Sequence, residues 1–165
     1  MAPKTAYITG GASGIGLAVA QALSKRQFRI AIADINLSAA QDVVKQLNAT
    51  ATTGQEHLAV EVDVSSWDSQ VAAFEEALAN FKTIDIVIVN AGVGEKVFVP
   101  NDGGKGRGFV KPDLRILDVD LNGFLYTSAL AIQQMRRQEV SQNGLRGKSE
   151  RGLARTVNAL ADLVE

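Results

Sequence analysis

Cysteine is missing from the chain, which removes disulfides and cysteine-ligated metal sites and fits a reducing, cytoplasmic setting. The single histidine, His57, has no partner cluster, so a histidine-based metal centre has no framework, and the residue reads as a surface or strand-end position. Excess charge is lacking too: the formal net charge of −1 gives no global pull toward nucleic acid or an anionic membrane. No uninterrupted stretch approaches the roughly 20 apolar residues that span a bilayer. Met1-Ala2-Pro3-Lys4 runs at once into a strand-like segment, which leaves no room for a leader peptide. The 165 residues are therefore expected to form one soluble domain that buries about two-thirds of its unfolded surface.

What is present is an alternation of periods. Lys4–Thr9 reads as a strand; Ile15, Val19, Ala22 and Leu23 then mark a helical face. Arg29–Asp34 is a second strand, followed by a helical face of Leu37, Ala40, Val44 and Leu47. The turn Ala51-Thr52-Thr53-Gly54 leads to a third strand near His57–Val62. Ser65 or Ser66 can cap the next helix, whose inward side reads Val71, Phe74, Leu78 and Phe81, with Trp67 at its start read as packing. Ile84–Val89 is a fourth strand. A long helix comes next, from Pro112 or Leu114 to Arg137, with Leu117, Leu121, Phe124, Leu125, Ile132 and Met135 on its apolar side. Strands this apolar, separated by helices, predict an α/β fold with a doubly wound parallel sheet, incomplete at about four strands in the order 3-2-1-4.

Two stretches break the rhythm. Residues 94–112 include Gly103-Gly104-Lys105-Gly106-Arg107-Gly108, read as a surface loop or, more sharply, as a lid over one end of a bound ligand. Ser141–Ser149 is polar, and Leu153, Val157, Leu160 and Val164 predict a short amphipathic helix. Residues 149–165 are thus an atypical helical tail rather than a second domain, after a single α/β domain over 1–148. Gly147-Lys148-Ser149 imitates the end of a P-loop, but Gln142 stands where glycine is required and no strand precedes it. Arg136, Arg137, Arg146, Lys148, Arg151 and Arg155 make this part basic; without aromatics for bases to stack on, they read as a solvated face.

The first strand opens into Thr9-Gly10-Gly11-Ala12-Ser13-Gly14-Ile15-Gly16, and a helix begins immediately. A backbone without side chains can lie against a diphosphate, while the new helix offers free N–H groups and its positive dipole end. An acid, Asp34, ends the next apolar run, as dinucleotide binding requires; the alternative is an ordinary strand–turn–helix corner. In a sheet of this order the ligand site lies beyond the carboxyl ends of the strands, at the switch between strands 1 and 4, where the glycine turn and Asn90-Ala91-Gly92 both fall.

From about residue 4 to residue 137 the chain resembles the short-chain dehydrogenase/reductase family, as a C-terminally truncated or divergent member with a Rossmann-type fold. Thr9-Gly10-Gly11-Ala12-Ser13-Gly14-Ile15-Gly16 is similar to the family's TGxxxGxG cofactor turn, Asp63-Val64 to its adenine-side pair, and Asn90-Ala91-Gly92 to its NAG motif. The resemblance implies cofactor-binding roles for Thr9, Gly10, Ser13, Gly14, Ile15, Gly16, Asp34, Asp63, Val64, Asn90, Ala91 and Gly92. A carboxylate at Asp34 accepts hydrogen bonds from the adenosine ribose and repels a 2′-phosphate, and Gly11, Ala12, Ile35 and Asn36 offer no cation, so NAD is preferred over NADP. Bland alternatives stay open: Asp34 as a turn residue, Asp63 as a helix cap, Asn90 as a tie between strands.

The family's base is a tyrosine with a lysine four residues on. Four residues after Tyr7 comes Gly11, and four after Tyr126 comes Leu130, so neither matches, and no residue is assigned a catalytic role. Where the family's long helix has Asn-Leu-x-Gly, alignment on Leu121 and Gly123 puts Asp120 at the asparagine position; Asn122 falls on about the opposite side of the helix. Asp120 is a weak substitute or a solvent-facing residue. The resemblance implies an NAD-dependent oxidoreductase that moves hydride to or from a secondary alcohol or ketone in the complete relative, represented here mainly by the cofactor-binding half. The alternative is a non-catalytic NAD-binding or partner-binding module. A homodimer through the long helix is also implied.

Overall fold

Four short apolar strands form one parallel sheet in the order β3-β2-β1-β4. The computed structural model describes residues 3–51, 55–94, 109 and 111–138. The turn residues 52–54, most of the glycine-rich loop and the C-terminal tail with its expected helix lie outside the described residues. The strands are β1 (Thr5–Thr9), β2 (Arg29–Asp34), β3 (Leu58–Glu61) and β4 (Ile86–Ile88). The helices are α1 (Gly14–Lys25), α2 (Leu37–Ala49), α3 (Trp67–Phe81) and α4 (Phe124–Arg137), the last continuing from a π-helical stretch, Leu117–Gly123. Strand order and alternation are as the sequence predicts; β4 is shorter than the run Ile84–Val89.

The two-residue period of the strands divides the core. Ala6 and Ile8 of β1 and Ile30 and Ile32 of β2 pack with Ala20, Leu23, Ala40, Val43 and Leu47 of α1 and α2. Tyr7, Ala31, Ala33 and Val87 face the other way, toward Phe74, Ala77 and Phe81 of α3 and Ala131 of α4. Tyr7 meets Phe74 edge to face, with ring centroids 5.0 Å apart.

The inward sides of the later helices differ from the sequence reading. In α3, Phe74 and Phe81 are buried as expected, but Gln70, Ala73 and Ala77 are buried with them, whereas Val71 and Leu78 are only partly covered. In the long helix Leu117, Leu121, Phe124 and Leu125 are 41–52% exposed, and Gly123, Thr127 and Ala131 turn inward. Small residues win because the helix approaches closely: a Cβ on Gly123 would sit 3.0 Å from the Val64 side chain. Gln70 closes this contact by donating to the carbonyls of Val64 (2.6 Å) and Gly123 (3.0 Å), while its own Oε1 accepts from the Thr127 hydroxyl (2.6 Å).

His57 immediately precedes β3, a strand-end position, but it is buried rather than at the surface. Its Nε2 lies 3.4 Å from Ser24 Oγ, and burial holds the imidazole below its ordinary pKa. Trp67 packs edge to face on Tyr126. Among the described residues, no helix is long and apolar enough to cross a membrane.

Candidate functional site

The carboxyl ends of all four strands open into one cleft of about 370 Å³. Gly10, Ser13, Gly14 and Ile15 line it from the β1–α1 turn; Asp34 and Ile35 come from the end of β2, Asp63 and Val64 from beyond β3, and Asn90, Ala91 and Gly92 from beyond β4. Ten of the twelve residues singled out in the sequence therefore share one wall. Thr9 and Gly16 stand behind it.

Those two build the wall. Thr9 is fully buried, and its hydroxyl oxygen accepts from the backbone N–H groups of Asn90 (3.1 Å) and Ala91 (3.2 Å). A Cβ on Gly16 would strike the Gly10 carbonyl and come within 2.6 Å of the Asn90 amide nitrogen. Gly10 has φ +65°, and a side chain there would meet the Ala91 backbone at 2.8 Å. The Asn90 side chain donates to the carbonyls of Thr9 and Gly10, both at 3.1 Å. It ties β4 to the glycine turn, the structural role the sequence left open.

At the mouth of the turn glycine is favoured by the backbone, φ +53° at Gly14, and not by crowding. A Cβ on Gly14 would meet nothing within 4 Å, and Ser13 begins α1 with no side-chain capping bond. The first N–H groups of a helix have no intrahelical acceptor, so this end offers donors and a positive dipole to an anion.

Asp34 holds the turn from the side. Its Oδ2 accepts from the Ala12 N–H and its Oδ1 from the Asn36 N–H, both at 3.0 Å. Each carboxylate oxygen keeps a lone-pair position for a further donor. The cap of α2 is Asn36, whose Oδ1 accepts from Ala39 N–H. Asp63 likewise does not cap α3: Ser66 does, while Asp63 Oδ1 accepts from the N–H and hydroxyl of Ser65 at 2.9 and 2.6 Å.

The cleft also contains residues that motif reading missed: Ile35, Val62, Val93 and Val119. Ile15 and Ile35 flank it while 76% and 69% exposed, an arrangement that leaves apolar surface for a planar ligand to cover. Ile15, which the sequence also counts toward the apolar face of α1, turns out to the cleft instead, and the apolar character of Ile35 just beyond β2 is the signal that could have flagged it. Asp120 does not merely face solvent: its Oδ1 accepts from the Val93 N–H at 2.9 Å. Both tyrosines lie away from the cleft. Tyr7 is buried in the core with its pKa raised, chiefly by desolvation and further by Glu76, and Tyr126 packs on Trp67.

Residues 4–143 match the short chain dehydrogenase family. A curated relative, the NADP-dependent dehydrogenase clz5 of Cochliobolus lunatus, is 33% identical over 98% of this chain and 56% of its own length. Among solved structures, a 3-ketoacyl-(acyl-carrier-protein) reductase from Brucella melitensis complexed with NADH is similar at 29% identity and a TM-score of 0.66, over 81% of this chain and 51% of that one. An alcohol dehydrogenase from the archaeon Thermococcus sibiricus, complexed with 5-hydroxy-NADP, is similar at 25% identity and a TM-score of 0.67, over 81% of this chain and 54% of that one. The chain belongs to the short-chain dehydrogenase/reductase family. It spans about half the length of these relatives.

Proposed function

We propose that the cleft binds NAD in preference to NADP, with the diphosphate at the Gly10–Gly16 turn and the adenosine toward β2 and β3. The observation that carries this reading is Asp34: its carboxylate lines the cleft beside the turn, and no lysine or arginine joins it among the described lining residues. The diphosphate is then held by backbone N–H groups and the α1 dipole, the adenosine ribose hydroxyls donate to Asp34, and Asp63 and Val64 flank the base. A 2′-phosphate would meet the Asp34 carboxylate with no cation among the described lining residues to receive it. Bound NAD supplies or accepts a hydride. This chain orients it through the Asn90 tie and holds no tyrosine–lysine pair to move the accompanying proton.

The oxidoreductase reaction on a secondary alcohol or ketone is accordingly proposed for longer relatives, and cofactor binding without turnover for this chain. Isothermal titration with NAD and NADP tests the reading: NAD should bind at least about tenfold more tightly. Equal or tighter NADP binding, as the name of the relative clz5 would suggest, would overturn the preference; no binding of either would overturn the cofactor assignment. Sustained NAD reduction with a secondary alcohol, abolished by Asp34→Ala, would restore catalysis to the chain.

A second reading concerns assembly. The exposed apolar run Leu117, Leu121, Phe124 and Leu125 favours a second copy packing on the long helix. Light scattering on the wild type and on Leu121→Glu would read this directly.

A further inference from the structure

We infer that Asp120 makes this cleft a better receptor for a nicotinamide dinucleotide whose ring is oxidised and cationic than for one whose ring is reduced and neutral. This deepens the proposed function and rests on it.

The strand order sets the direction of the ligand. With the diphosphate at the turn after β1, the two nucleosides must extend to opposite sides of that strand. Asp34 and Asp63 occupy the β2 and β3 side, where they suit the adenosine. The other nucleoside then lies toward β4, where the cleft is walled by Asn90, Ala91, Gly92, Val93 and, from the π-helical stretch, Val119. Asp120 is next to Val119 in the chain and reaches this wall: Oδ1 accepts from the Val93 N–H at 2.9 Å, and a Cβ on Gly92 would lie 3.4 Å from the same oxygen.

Among the described residues, charge at this end is one-sided. Arg115 and Asp113, which border the adjoining cavity with Val93 and Val119, pair at 2.6 Å. Asp118 accepts from Asn122 on its own helix. Among the described residues Asp120 has no salt-bridge partner, and the hydrogen bond it makes there is to a neutral backbone amide. A carboxylate so placed attracts a positively charged ring and is indifferent to a neutral one, so it separates the two redox forms by charge alone.

The test is calorimetric titration of both cofactor forms into the wild-type chain, Asp120→Asn and Asp120→Ala. An asparagine Oδ1 still accepts the Val93 N–H, so D120N removes the charge and keeps the tether. D120N should weaken binding of the oxidised form about three- to tenfold and leave the reduced form unchanged, with the difference shrinking as salt is raised. D120A removes the tether as well and should weaken both forms. An unchanged ratio of oxidised to reduced affinity in D120N would overturn the inference while leaving cofactor binding intact. Failure of the wild type to bind either form would instead overturn the underlying reading, and this inference with it.

Discussion

The two flanks of β1 are finished differently. Toward β2 the sheet is closed: Ile30, Ile32, Ala31 and Ala33 are fully buried between helix layers, and Asp34 locks the strand end to the glycine turn. Toward β4 the sheet ends in a three-residue strand, and the backbone two residues ahead of it is met by a side chain. Gln138 Oε1 accepts the Ile84 N–H at 2.7 Å and its Nε2 donates to the Ile84 carbonyl at 2.9 Å, so one amide satisfies the backbone just before β4. The difference teaches that the β2 side buries its strands between helix layers, whereas the β4 side leaves the apolar residues of the long helix exposed.

The sharpest break of the closed side is Gly16→Val, which drives a side chain into the Gly10 carbonyl. A loss of about 3 kcal/mol in denaturant unfolding is expected, near the upper end for overpacking. Asp34→Ala should cost roughly 1.5–3 kcal/mol of NAD binding by titration and also lower the thermal midpoint, because the Ala12 and Asn36 N–H groups lose their acceptor. Unchanged NAD affinity in that variant would refute its role.

On the open side, Gln138→Ala should destabilise by about 1–2 kcal/mol, the worth of two hydrogen bonds. If stability does not move, the backbone just before β4 is satisfied by other means. His57 sharpens the comparison through pH. Its folded-state pKa is depressed by burial, so the unfolded chain takes up a proton that the folded chain resists. Stability is complete above the ordinary imidazole value, about 6.5, and falls as pH drops below it; His57→Gln should flatten that slope in chemical denaturation. Least of all in energy, Leu121→Glu should alter stability by under about 0.5 kcal/mol while shifting any dimer toward monomer.

Strands and their order are legible because buried parallel strands are apolar throughout and the connections alternate without slack. The cleft is legible where a motif demands a residue type, as at Gly10, Gly14 and Asp34. The long helix is not. A reading that ranks side chains by size sends Leu117, Leu121, Phe124 and Leu125 inward, but close helix approach selects Gly123, Thr127 and Ala131. Gln70 escapes for a related reason: an amide reads as surface until its three partners are seen together. Asp120 is placed by the resemblance, but its acceptor role is not legible, because it depends on a backbone N–H 27 residues away that no local pattern discloses.

The widened coil at Leu117–Gly123 acts as a phase shifter. A π turn holds one residue more than an α turn, so it rotates the helix ahead of it by about 100° against the helix behind. Thr127 and Ala131 keep their grip on the interior while Val119 and Asp120 are steered independently to the cleft. Deleting one residue from this coil would leave the buried anchor in place and swing Asp120 off the Val93 amide, which makes the segment an adjustable joint between scaffold and pocket.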